Sequence, residues 1–290
     1  MTSFDSFLDA AWNDHADRSA EVAERLAGST AVVAAPENVV PYARIVTHVY
    51  GEHLGEWRSG IALLEKLREL PLARGREDIA TALRRNVAAL RYGEGDPHAL
   101  DHLGVEDRIA ALATASSALV SRNDCRRGLA AYAAALGAAE AGLPEGSPAI
   151  RALAVGGNNL AAALEERPDR TIEETRGMVN AAESGLKYWK IAGTWLEEER
   201  AEYRLAKSLQ QAGEHAAAAS AAQRCVAVCE ANDAPAFERF FAAAALALAQ
   251  RAAGNAVAGT QAREQALAFY AKVPADEQRW CDDERRALDA

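Results

Sequence analysis

Residues 205–218 read LAKSLQQAGEHAAA. This is a helix, a break and a second helix. Leu205-Ala206 lies in the first helix and Gly213-Glu214 stops it. His215 opens the next, whose Ala216–Ala219 run has the strongest helix preference of any residue type. Breaks of the same kind recur outward: Gly254-Asn255 on one side, Pro168-Asp169, Asn123-Asp124 and Gly55-Glu56 on the other. From Gly55 to Gly254 successive breaks are 68, 45, 45 and 41 residues apart, and the last three gaps define a repeat of 41–45 residues. The long first gap holds Arg91–Val105 (RYGEGDPHALDHLGV), an irregular connection.

The repeat has a side-chain register. Seven residues before the breaks stand His48, Ser116, Ala161, Ala206 and Ala247, and five residues after them Gly60, Gly128, Glu173, Ala218 and Gly259. Most are small. A glycine inside a helix costs about 1 kcal/mol against alanine. Recurrence at one register therefore predicts that the two helices of each pair touch backbone to backbone there. Helices are expected near 4–13, 16–28, 38–54, 57–70, 76–92, 105–121, 124–141, 148–166, 171–191, 194–212, 215–231, 235–253, 256–272 and 276–288. Val32-Val33 and Val39-Val40, beside Pro36 and Pro41, are read as loop rather than strand.

Leu205-Ala206, Gly213-Glu214-His215 and Ala218 resemble the tetratricopeptide-repeat (TPR) pattern of Leu-Ala/Gly, a Gly-Asp-Tyr turn and Ala. Asn158-Asn159-Leu160-Ala161 resembles the Asn-Asn-Leu-Ala stretch of the longer repeats in kinesin light chains. Leu54-Gly55-Glu56-Trp57 with Gly60-Ile61 is a third match. The resemblance spans residues 38–272. It departs from the pattern at Pro168 for the turn glycine, at Glu173, and at Thr47 and Ala115 for leucine. An insertion before Thr171 is expected to pass the packing role to Gly177. The fold implied is all-α: a right-handed α-solenoid of antiparallel helix pairs. Residues 1–35 would form an N-terminal helical cap, 36–273 the array, and 274–290 a capping helix with a polar outer face. In residues 4–13, Phe4, Leu8 and Trp12 form an apolar stripe that Phe7 widens, expected to pack on the next helix.

Composition narrows the function classes. The 290 residues are 50% hydrophobic, much of it alanine, and only 6% aromatic, so thin Ala–Leu interfaces are expected. A net charge of −10 disfavours non-specific nucleic-acid binding. No segment has the ~20 unbroken apolar residues of a membrane span. The N-terminus, with Asp5 and Asp9 and no basic start, does not read as a signal peptide. Cys125, Cys225, Cys229 and Cys281 lack disulfide-framework spacing and suit free thiols in a cytoplasmic protein.

Motifs for chemistry are sparse. Gly156-Gly157 opens no GxxxxGK loop, and there is no GxSxG or HExxH. No cofactor motif and no catalytic residue is identified. His98 and His102, four apart among Asp96, Asp101 and Glu106, would share a helix face but are expected in an exposed loop. His48 and Glu52 are four apart, with His53 adjoining, and a hydrogen bond on a helix surface is expected there. Cys225 and Cys229 are read as small packing residues.

A binding surface is the stronger expectation. In a TPR stack the first helix of each pair lines the concave face. Arg200, Arg204 and Lys207 fall on one stripe of such a helix, with Glu197 able to answer one of the charges; the others need a neighbouring helix, solvent or an acidic ligand, so a solvated, internally paired face stands beside ligand capture. One pair earlier Asn159 takes the register of Arg204, beside Asn158. Earlier still stand Thr114 and Ser117, and one pair later Phe241, Ala245 and Leu248. The resemblance implies a groove that grips a peptide backbone through Asn and its carboxylates through Lys or Arg. The expected function is a non-enzymatic adaptor for a protein or peptide, an acidic one suiting the stripe, with neither nucleic acid nor membrane as partner. Two other classes stand beside it: a sensor module whose superhelix responds to a small molecule or peptide, and a helical enzyme gathering His48, Glu52 and His53 or His98 and His102.

Overall fold

The structure is a computed structural model in which residues 3–289 are described. Among them are fourteen α-helices and no strand. Contacts divide the chain into two compact units, residues 1–156 and 157–290, with the division inside one helix between Gly156 and Gly157.

The first unit contains α1 (Phe4–Asp14), α2 (Ser19–Gly28), α3 (Val39–Thr47), α4 (Trp57–Arg68), α5 (Glu77–Glu94), α6 (Val105–Ser121), α7 (Cys125–Ala139) and the first half of α8 (Pro148–Glu165). The second holds the rest of α8, then α9 (Ile172–Ala192), α10 (Trp195–Gln211), α11 (His215–Ala231), α12 (Ala236–Ala252), α13 (Ala256–Tyr270) and α14 (Asp282–Asp289). Chain neighbours pack as pairs: α6 on α7, α10 on α11, α12 on α13. Alternate helices also touch, α3 with α5 and α10 with α12. Within each unit neighbouring helix pairs thus stack on one another.

The breaks are left-handed helix caps. Gly55, Asn123, Gly213 and Gly254 all have positive φ. After three of them the next amide bonds back five residues: Asp124 to the Leu119 carbonyl, Glu214 to Leu209 and Asn255 to Gln250, each 2.9 Å. Pro168 offers no such cap. There the Arg170 guanidinium donates to the carbonyls of Leu164, Glu165 and Arg167 at 2.6–2.9 Å, satisfying the end of α8 with a side chain. A capping box on Thr171 and Glu174 then starts α9.

Two pairs cross closely at the expected register. A Cβ on Gly128 would stand 2.7 Å from the Ser116 carbonyl oxygen, and one on Gly259 3.4 Å from that of Ala247. In α9, Met178 and Ala181 are fully buried.

The first pair differs. His48–Leu54 is a π-helical turn continuing α3, so the Glu56 amide reaches back six residues to Tyr50 (2.8 Å) instead of five. Gly60 accordingly meets Tyr50, not His48. Val39-Val40 is no loop. It opens α3, and Pro41 sits within the first turn, where a missing N–H costs nothing.

The cores also differ. In the first unit Val22, Leu26, Tyr42, Ile45, Leu64, Leu67, Ile79 and Leu83 form a thick cluster, each such side chain contributing roughly 1.5–3 kcal/mol on burial. Phe4, Phe7 and Leu8 of α1 pack against it, and Tyr50 donates its hydroxyl to the Ala23 carbonyl at 3.0 Å. The second unit follows the alanine expectation: Ala218, Ala221, Ala222, Ala242 and Ala244 have no exposed surface. At the C-terminus, helix starts at Asp282 rather than 276, after a 3-10 turn over Gln278–Cys281. No helix among the described residues is long and apolar enough to cross a membrane.

Candidate functional site

Two constellations of polar side chains stand out, one in each unit.

In the second unit, α10 carries Arg200, Arg204 and Lys207. Each is answered by a carboxylate from another helix. Arg200 meets Glu238 of α12 at 2.5 Å. Arg204 meets Glu165 of α8, which also accepts from the Ser208 hydroxyl at 2.6 Å. Lys207 meets Glu284 of α14 at 2.9 Å, and the same oxygen accepts from the Tyr203 hydroxyl. On the other face Glu202 is gripped by Arg224 (2.8 Å) and Lys190 (3.2 Å). Burial of the acids explains the pattern: an unanswered carboxylate there would be expensive. The stripe therefore has no surplus positive charge, and the electrostatic reason for an acidic ligand disappears.

Its exposure is uneven. The Arg200 side chain keeps 57% of its surface, whereas that of Arg204 keeps 23%. Asn158 and Asn159 are half-buried on α8, and Phe241 is half-buried among Tyr203, Phe237 and Phe240 at ring-centroid distances of 4.9–5.6 Å. Ala245 and Leu248 face Tyr203 and Lys207 across a cleft of about 170 Å³. That is smaller than the roughly 300–1,000 Å³ of small-molecule sites. Thr114, in the first unit, is half-buried. Ser117 is buried, with its hydroxyl committed to Glu52 at 3.0 Å.

Ser117 belongs to the second constellation. The i→i+5 bonding of the π-turn sets residue 53 one turn beyond residue 48, so His48, Glu52 and His53 come together. His15, at the C-terminal end of α1, approaches them from across the unit. Its ring lies 4.9 Å from that of His48 and 5.0 Å from that of His53. The three imidazoles offer nitrogens within 4.8 Å of one another. Nε2 of His48 and Nε2 of His53 are 3.1 Å apart. Nδ1 of His48 donates to Glu52 at 3.2 Å, and Nδ1 of His15 is turned to the Trp12 carbonyl. These partners assign the proton to Nδ1 in both rings, so the Nε2 lone pair of His48 accepts from the Nε2–H of His53, a proton that a metal ion would replace. Trp12 covers the group, 5.4 Å from the His48 ring.

Burial, and next the neighbouring His48, push His53 down to about 4, so its ring is neutral at pH 7. Burial likewise lowers His15. Burial would raise Glu52, but His48, its hydrogen bond and that of Ser117 outweigh this and hold the carboxyl below its ordinary value.

His98 is exposed and bonds Asp101 at 2.8 Å, and His102 is exposed beside it. Cys225 and Cys229 are buried packing residues.

Sequence reasoning missed His15 and the acids Glu165, Glu238 and Glu284. Glu199 and Glu202, in register with the small Ala206, carried a readable signal of buried acid. His15 carried none, standing 33 residues from His48.

No family model and no curated protein matches the chain. Among solved structures it is similar to a Podosopora anserina protein described as a kinesin light chain with nearly identical TPR-like repeats. The identity is 18% and the TM-score 0.48, over 76% of this chain and 98% of that one.

Proposed function

We propose that this chain is a non-enzymatic cytoplasmic scaffold that holds a peptide or protein segment on the inner faces of its helix pairs. In this reading residues 36–273 form the binding array, and residues 1–35 and 274–290 close its ends. The contact residues are Asn158, Asn159, Arg200, Arg204, Lys207 and Phe241 of the second unit; buried Ser117, committed to Glu52, is not among them. The observation that carries it is the α10 ladder. Buried carboxylates hold three long cationic side chains in fixed positions, so little side-chain entropy remains to be lost on binding. Arg200 keeps free N–H donors at the surface for peptide carbonyls. Because the ladder is neutral, recognition rests on hydrogen bonds and on the aromatic edge at Phe241, and the segment captured need not be acidic.

The test uses exposed Arg200 and half-buried Asn159. Partners retained from extract by the wild type are identified, then titrated against Arg200→Gln and Asn159→Ala, both checked for helix content. At least tenfold weaker binding in each variant is expected. Equal affinity in both would place the binding surface elsewhere.

A further inference from the structure

The histidine constellation lies in the first unit and is independent of the peptide reading. We propose that His15, His48 and His53 form a site for a divalent, imidazole-preferring transition metal such as zinc, with Glu52 holding His48 in its ligand tautomer and one coordination position left open.

The argument is geometric. With Zn–N bonds of 2.0–2.1 Å, two imidazole nitrogens on a tetrahedral ion stand about 3.3 Å apart. Nε2 of His48 and Nε2 of His53 already stand at 3.1 Å. All three ligand nitrogens lie within 4.8 Å of one another, so His15 needs to close by roughly 1–1.5 Å. It is the C-cap residue of α1.

The surrounding groups are those a metal site requires. His48 donates its other N–H to a carboxylate and His15 to a backbone carbonyl, the outer contacts that fix ring orientation and raise ligand basicity. Ser117 in turn donates to the Glu52 oxygen that faces His48. The rings are half-buried, which leaves a path for an ion and a water. A helix-surface hydrogen bond between His48 and Glu52 needs neither His15 nor the π-turn. Convergence of three rings from two elements, through the one π-turn among the described residues, points to a shared ligand. Three imidazoles suit zinc, copper or nickel over magnesium or calcium. Binding would clip α1 to the π-turn, joining positions 15 and 48–53 of the chain, and so stabilise the first unit.

The full chain, stripped with a chelator and dialysed, is titrated with Zn²⁺ by calorimetry at neutral pH. One ion per chain is expected. His15→Gln and His53→Gln should each weaken binding at least tenfold, and Glu52→Gln by about ten- to a hundredfold. A His98→Gln, His102→Gln variant should bind as the wild type does. Because His53→Gln could disturb the π-turn, His15→Gln at the end of α1 is the deciding variant. Absence of saturable binding to the folded wild type would overturn the site, as would unchanged affinity in His15→Gln.

Discussion

The Cys225 thiol on α11 donates a hydrogen bond to Oε1 of Glu199 on α10 across 3.1 Å, and both residues are buried. Glu238 of α12 lies close to the same carboxyl, Arg200 opposes it, and Cys229 stands one turn on from Cys225. Burial is the chief cause that pushes Glu199 up, to about 8, against the hydrogen bond from Cys225. The folded chain therefore keeps a proton on Glu199 at pH 7 that the unfolded chain, near its ordinary 4.5, has lost. The stability this group contributes is full below about pH 4.5 and is lost as the pH rises to about 8. Glu199→Gln keeps the neutral form throughout. Its Tm relative to wild type should climb between pH 5 and pH 8.5, by roughly 2–4 °C for each kcal/mol recovered. Two Tm curves that run parallel over that range would refute a protonated Glu199.

The four cysteines give a second expectation. All four are buried. Burial pushes Cys229 up to about 12, Cys281 to about 11 and Cys225 higher still. Reactivity follows the thiolate. A thiol reagent at pH 8 should leave the native protein unlabelled and modify every cysteine after denaturation. Rapid labelling of the native chain at Cys225 would contradict the packing of α10 on α11.

Glycines in α7 separate packing from helix preference. Gly128→Ala forces a methyl against the Ser116 carbonyl oxygen, 2.7 Å from the new Cβ, and that oxygen is backbone. A loss of about 1–3 kcal/mol is expected although alanine favours helix. Gly137→Ala, in the same helix, meets nothing within 4 Å and should stabilise by about 0.5–1 kcal/mol. Chemical denaturation of both variants reads the difference. Equal effects would remove the case for a backbone crossing at Gly128.

Arg204→Met leaves the Glu165 carboxylate, 4% exposed, with only Ser208 as partner. Such a loss costs about 3–5 kcal/mol. Restoring apolar balance with Arg204→Met, Glu165→Met together should recover much of it, a coupling that a double-mutant cycle measures directly. Additive losses would mean that the two residues do not act as a pair.

The helices and their pairing were legible in the chain because both are local. Alanine runs, the left-handed breaks at Asn123, Gly213 and Gly254, and small residues five and seven positions from each break needed no knowledge of distant partners. The stripe of Arg200, Arg204 and Lys207 was legible for the same reason: helix periodicity alone places them on one face. Which acids answer it was not. The acids that neutralise it come from α8, α12 and α14, up to 77 positions away in sequence, and burial decides which acid each cation must answer. The histidine group was hidden twice over. A π-turn changes the period by which His48 and His53 would be compared, and His15 joins them only because the apolar side of α1, through Phe4, Phe7 and Leu8, docks on the core. Sequence alone determined what depends on neighbours along the chain. Tertiary structure decided what depends on which charges and rings are brought together out of water, because the cost of burying a polar group is set by its neighbours in space.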